Sequence, residues 1–233
     1  MIRALAALVI VAVAVPVARG FQPRERGPER AALQAAAPQR TAILDNATTT
    51  VTRLRFGPGA REAVQTHASP LVIVQLTPGD SVDLTVSDAR GLGPRDAGLV
   101  TFVPADTPCA IVNAGAVSFD MIAITIEPTR AAAPSAPPTE APPGITRTTL
   151  MDNNDVRLVR VRFAPGSREP VHTHPNDLLT VQLTPGTFDI LLGATRTGGR
   201  RDVGFTQFLP RDISHAYVST DSETFDSLSI SIK

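Results

Sequence analysis

The sequence predicts an all-β protein made of two similar units in tandem, each a β-sandwich or jelly-roll barrel. Three observations predict it. Short apolar runs alternate with polar residues at period two, most of the chain is written twice, and a proline-rich spacer separates the copies.

The periodicity is clearest in the second copy. Val159, Val161 and Phe163 alternate with Arg160 and Arg162, and 178–183, 188–192 and 227–232 are further short runs. Pro-Gly, Gly-Gly and Asp-rich turn signals lie between them, and no stretch of a dozen residues in either unit sustains a helical period.

The repeat is explicit. Arg53-Leu-Arg-Phe-Gly-Pro-Gly-Ala-Arg-Glu62 and Arg160-Val-Arg-Phe-Ala-Pro-Gly-Ser-Arg-Glu169 agree at seven of ten positions, at an offset of 107. Gln75-Leu-Thr-Pro-Gly79 recurs unchanged as Gln182-Leu-Thr-Pro-Gly186. Past one deletion the offset is 106, pairing Phe119-Asp120 with Phe225-Asp226. The units are set at 41–128 and 147–233, joined by a linker at 129–146 whose prolines favour an extended polyproline conformation.

The N-terminus belongs to neither unit. Arg3 precedes an apolar run from Ala4 to Val17, and Ala18-Arg19-Gly20 offers a signal-peptidase site, so 1–20 is read as a signal peptide and 21–40 as a second linker. The alternative is an uncleaved anchor, although the run is shorter than the ~20 residues of a membrane span. A secreted or periplasmic chain beginning near Phe21 is expected. Cys109 is the only cysteine and cannot close an internal disulfide.

Composition excludes some functions. The 22 basic residues balance the 22 acidic ones, Lys233 is the only lysine, and the arginines are scattered, so nucleic-acid binding is not expected. With no Trp and one Tyr there is little material for base stacking.

The chemistry rests on four histidines, His67, His172, His174 and His215. On a predicted strand, His172 and His174 point to one face, and His215, 41 residues on, closes the site from a neighbouring strand. Three imidazoles from two strands form one face of a metal site with open positions opposite. Histidines that merely line a barrel mouth are the alternative. Asp177 reads as a turn residue or as a fourth ligand.

These spacings resemble the cupin superfamily. Its first motif is matched by Gly166, five residues, His172-Thr173-His174, four residues, Leu179, six residues and Gly186, with leucine in place of the family's glutamate. Its second is matched by Gly204, five residues, Pro210-Arg211-Asp212, two residues, His215, three residues and Ser219. Asp212 stands for the turn glycine and Ser219 for an asparagine; aspartate enters the left-handed conformation more readily than most residues. The first unit fits the same frame with Gln65, His67 and Cys109 at the ligand positions and is read as a degenerate, supporting barrel.

The resemblance implies two cupin-type jelly-roll barrels, the second binding Fe, Zn, Mn, Ni or Cu through His172, His174 and His215. Without the glutamate the cation keeps its full charge, which favours an anionic small-molecule ligand or substrate. An oxygenase-like enzyme is one expectation, with Tyr217 the only acid–base group recognised near the triad. A non-catalytic ligand-binding or structural module is the other, and homo-oligomerisation stays open. Metal binding is expected to fail as pH drops through ~6.5.

Overall fold

The computed structural model describes residues 36–127 and 141–233. The signal-peptide reading and most of both linkers lie outside the described residues.

The first unit contains β1 (Gln39–Asp45), β2 (Thr49–Phe56), β3 (Arg61–Thr66), β4 (Leu71–Gln75), β5 (Gly79–Val86), β6 (Ala89–Arg95), β7 (Val100–Val103), β8 (Pro108–Asn113) and β9 (Phe119–Ile126). The second contains β10 (Ile145–Asp152), β11 (Val156–Phe163), β12 (Asp177–Gln182), β13 (Gly186–Leu192), β14 (Thr195–Arg201), β15 (Thr206–Leu209), β16 (His215–Ser219) and β17 (Phe225–Ile232). All pairings are antiparallel, and no helix occurs among the described residues. None is therefore long and apolar enough to cross a membrane.

Each unit faces one sheet against another. Order β1-β2-β9-β4-β7 meets β3-β8-β5-β6 in the first, and β10-β11-β17-β12-β15 meets β14-β13-β16 in the second. The jelly-roll alternative of the sequence reading is the one observed.

Alternation on the last strand of each unit explains how the units join. On β9, Phe119 and Met121 point into their own barrel, whereas Ile122, Ile124 and Ile126 point outward. On β17, Phe225 enters the second barrel's core while Leu228, Ile230 and Ile232 point outward. The outward sets merge with Val72, Val74, Leu158, Leu179 and Val181 into one buried core shared by both units. β9 is largely apolar on both faces, as burial on both requires, whereas β17 turns Ser227, Ser229 and Ser231 inward.

Charged residues border this core in matched sets. Asp120 pairs with Arg53 at 2.6 Å, and Asp226 with Arg160 at 2.6 Å and Arg162 at 2.8 Å. Arg160 also lies 3.8 Å from where a Cβ on Gly98 would stand, and Arg53 lies 3.7 Å from the same point at Gly204. Each barrel thus reaches the corresponding turn of the other.

The deletion in the repeat is a β-bulge. Gly79 faces Arg95 and Val82 faces Gly93, so β5 carries one residue more than its partner strand. The homologous β13–β14 ladder runs without a shift, pairing Gly186 with Arg201 and Phe188 with Gly199. The Pro-Gly of the unchanged motif has a packing role, because a Cβ on Gly186 would meet the Phe225 ring at 2.5 Å.

Candidate metal centre

The segment carrying His172 and His174 is not the regular strand that the sequence reading expected. In the first unit the same stretch is β3, but in the second it is held by two isolated bridges, Arg168 to Val218 and His172 to His215. Pro170 is the physical reason, since it has no N–H to give a ladder. The second bridge is complete: the His172 N–H donates to the His215 carbonyl and the His215 N–H to that of His172, each at 2.9 Å. The His174 carbonyl accepts the Asp212 N–H at 2.8 Å. Asp212 has φ of 62°, so it occupies the left-handed conformation read for it as a substitute for glycine.

The three rings converge. One ring nitrogen of each lies within 4.8 Å of the others, and this is the only group of three or more potential His, Cys, Asp or Glu ligands among the described residues. His172 Nδ1 is 2.8 Å from the Pro170 carbonyl, and His215 Nδ1 is 3.0 Å from that of Ile213. A carbonyl only accepts, so both Nδ1 atoms carry hydrogen and both Nε2 atoms present lone pairs. His215 Nε2 is buried without a partner, and His172 Nε2 faces His174 Nε2 at 3.1 Å. Two metal bonds of about 2.1 Å at a right angle would set nitrogens about 3.0 Å apart, so the residues fit a bound cation.

Electrostatics favour the neutral form of the His174 and His215 rings. Burial, reinforced by His172, His215 and Arg147, lowers the His174 pKa from 6.5 to about 4. Burial lowers that of His215 too, partly offset by its bond to Ile213 and by Glu169. A neutral imidazole is the form that ligates.

The triad lines a cavity of about 880 Å³ inside the second barrel, with Tyr217, Arg147, Arg157 and Glu169 among its walls. Tyr217 lies in the barrel core, its ring 5.8 Å from that of His215, and burial pushes its hydroxyl well above its ordinary pKa. Glu169 was missed by the sequence reading. It lies in the cavity wall with the triad and forms an ion pair with Arg147. Its signal was available in the duplicated Arg-Glu, Arg61-Glu62 and Arg168-Glu169. The first unit repeats the ion pair as Arg40–Glu62, with His67 alone of the three histidines.

The leucine at the motif's glutamate position faces away from the site, and of the two readings of Asp177 the turn residue is the one observed. Leu179, aligned with the family's glutamate, faces the core between the barrels, and Leu178 is the residue that lines the cavity. Asp177 belongs to no ligand group: its carboxylate accepts the Arg211 N–H at 2.8 Å and the Thr48 hydroxyl at 3.3 Å, so it anchors the adjoining turn.

The first barrel keeps the backbone frame without the chemistry. Gln65 faces Cys109 across β3 and β8, as His172 faces His215. The Gln65 amide donates to Glu62 at 2.6 Å, and burial, with Glu62, raises the Cys109 pKa and keeps the thiol protonated. The interior is filled. Ile73 and Met121, both fully buried, occupy the positions of Thr180 and Ser227, which line the second barrel's cavity.

No protein-family model matches the chain, and no curated protein matches its sequence. Solved structures do match. A mutant of salicylate 1,2-dioxygenase from Pseudoaminobacter salicylatoxidans, in complex with gentisate, is 10% identical, with TM-score 0.68 over 86% of this chain and 76% of its own. A mutant of Bacillus subtilis oxalate decarboxylase is 11% identical, with TM-score 0.65 over 85% and 74%. A cupin 2 conserved barrel domain protein from Leptotrichia buccalis is 16% identical, with TM-score 0.58 over 86% and 91%. Two duplicated jelly-roll units, superposable along most of their length on these structures, identify the chain as a protein of bicupin fold.

Proposed function

We propose that this bicupin binds one divalent transition metal through His172, His174 and His215, and that the metal serves small-molecule chemistry in the second barrel. One observation carries the reading: the Nε2 lone pairs of His172 and His215 are aimed by carbonyl bonds into a half-buried cluster that offers no hydrogen-bond donor to the buried Nε2 of His215. A cation satisfies them. Bound there, it would act as a Lewis acid with its charge undiminished by any carboxylate ligand, which favours an anionic ligand. The histidines hold it, Arg147 fixes the Glu169 carboxylate beside them, and the aromatic core behind Tyr217 limits water.

An oxygenase-like enzyme is the reading supported by the likeness to a dioxygenase and a decarboxylase of the same fold. A non-catalytic ligand-binding module is favoured by a different observation. The one carboxylate in the cavity wall is already paired with arginine, as its counterpart is in the filled barrel, so no free base is provided.

Metal analysis of protein purified without added metal tests the first claim. One metal per chain, lost in His172→Ala, is expected; metal content unaffected by that substitution would end the reading. Export is proposed on the sequence of 1–20 alone, and N-terminal sequencing of secreted material should find Phe21 first. A mature chain starting at Met1 in the membrane fraction would show an anchor instead.

A further inference from the structure

The five-stranded sheet of the second barrel crosses its cavity in rows, and their polarity changes in one direction. Register puts Ile145, Phe163 and Phe225 in the first row. Phe188 and Tyr217 of the opposing sheet pack on it, Phe188 5.5 Å from Phe225 and Tyr217 6.3 Å from Phe163. Ser227 stands beside Gln182 in the next row, Ser229 beside Thr180 in the third, and Ser231 beside Leu178 in the fourth. All six of these side chains line the cavity. It therefore has an aromatic floor at one end and hydroxyl groups above it.

The hydroxyls are particular to this barrel. Ser227, Ser229 and Thr180 occupy the positions of Met121, Ala123 and Ile73, which share the same register in the first barrel and help to fill it. The sheet folds without them. Polar groups turned toward a cavity make sense with a polar ligand to receive them. His215 is a second sign of one: it is 2% exposed, it lines the cavity, and its Nε2 has no partner.

Charge decides which polar ligand fits. The aspartate, glutamate and arginine side chains of the wall are Arg147, Arg157 and Glu169. Each is paired, Arg147 with Glu169 and Arg157 with Asp152 at 3.8 Å. The pairs leave the wall with no net sign. A ligand carrying a charge inward would lose hydration there and meet no counter-charge of its own. A hydroxyl loses far less, and the serine and threonine rows restore its hydrogen bonds.

We propose that this cavity binds an uncharged amphiphile, its apolar end on the Phe163, Phe188 and Phe225 floor and its hydroxyl end among Ser227, Ser229 and Thr180. The inference names the ligand class of the second barrel and rests on the reading above that this barrel serves a small molecule, but not on the metal. The attraction of a bound cation for an anion acts at the cation itself, and the wall adds nothing to it.

Calorimetric titration of the full chain in its metal-free form tests it, with hexanol, hexanoate, hexylammonium and ethanol as probes. Hexanol should bind about tenfold or more tightly than each of the others. Hexanoate or hexylammonium binding as tightly would overturn the uncharged class, and ethanol doing so would overturn the aromatic floor. Thr180→Ile with Ser227→Met, the first barrel's own residues, should weaken hexanol about tenfold or more. Glu169→Gln leaves Arg147 without its carboxylate, so it should raise hexanoate affinity about tenfold or more and leave hexanol unchanged. Cooperative unfolding in urea establishes that each variant is folded. Hexanol affinity unaltered in the filled variant would overturn the placement, and hexanoate affinity unaltered in Glu169→Gln would overturn the part played by the paired charges. Zinc titration of the same protein keeps the two readings apart, because failure of zinc to bind, with the probe preference intact, would remove the metal centre alone.

Discussion

His172 and His215 exchange both backbone hydrogen bonds, at 2.9 Å each, in a stretch that forms no other ladder with β16 except the bridge of Arg168 to Val218. The main chain therefore holds two imidazoles side by side before any metal arrives. Their first barrel counterparts, Gln65 and Cys109, face each other across the β3–β8 ladder.

Stoichiometry follows from that asymmetry. His172→Ala, His174→Ala and His215→Ala should each lower metal affinity by about tenfold or more, and metal content should fall from one per chain toward zero. His67→Ala and Cys109→Ser should leave it at one. Elemental analysis after dialysis checks all five, and a halved content in either control would place a second metal in the first barrel.

The shared frame makes the first barrel convertible. Gln65→His with Cys109→His, beside the native His67, should raise the metal content from one to two per chain. Zinc titration read against the parent protein decides it.

Leu178 and Leu179 should respond oppositely to glutamate. Leu178→Glu places a carboxylate in the cavity wall and should tighten metal binding. Leu179→Glu buries a charge between the barrels and should destabilise the chain by several kcal/mol without gaining metal affinity. Chemical denaturation together with metal titration separates the two.

The pH dependence has a definite sign. The folded-state pKa of His174 is lowered to about 4, and that of His215 is lowered too, so the unfolded chain takes up protons first. The stability contribution of these neutral rings is complete above ~6.5 and is lost as pH falls from there toward about 4. Denaturation of metal-free protein should therefore show stability rising with pH across that window. At His174 the lowered pKa moves proton uptake below the ~6.5 of an unperturbed imidazole.

The duplication, the all-β class and the three convergent histidines were legible because each leaves a local signal: an offset, a period of two, a motif spacing. What escaped was set by contacts distant in sequence. Leu179 matches a motif count, yet the face its side chain takes depends on packing against the other barrel. Glu169 gains meaning only from Arg147, 22 residues away. The loss of the strand at His172 was legible as well, since Pro170 stands in the sequence and has no N–H to give a ladder.

The reciprocal reach of Arg53 and Arg160 across the shared core has a consequence for dilution. Two separate barrels with this contact would form a dimer whose population falls with concentration, and each alone would expose a face of leucine, isoleucine and valine. Tethering in one chain makes the association intramolecular, so its strength no longer depends on how much protein is present. The first copy, its interior occupied by Ile73 and Met121, thus stands as a permanent wall beside the second at any concentration.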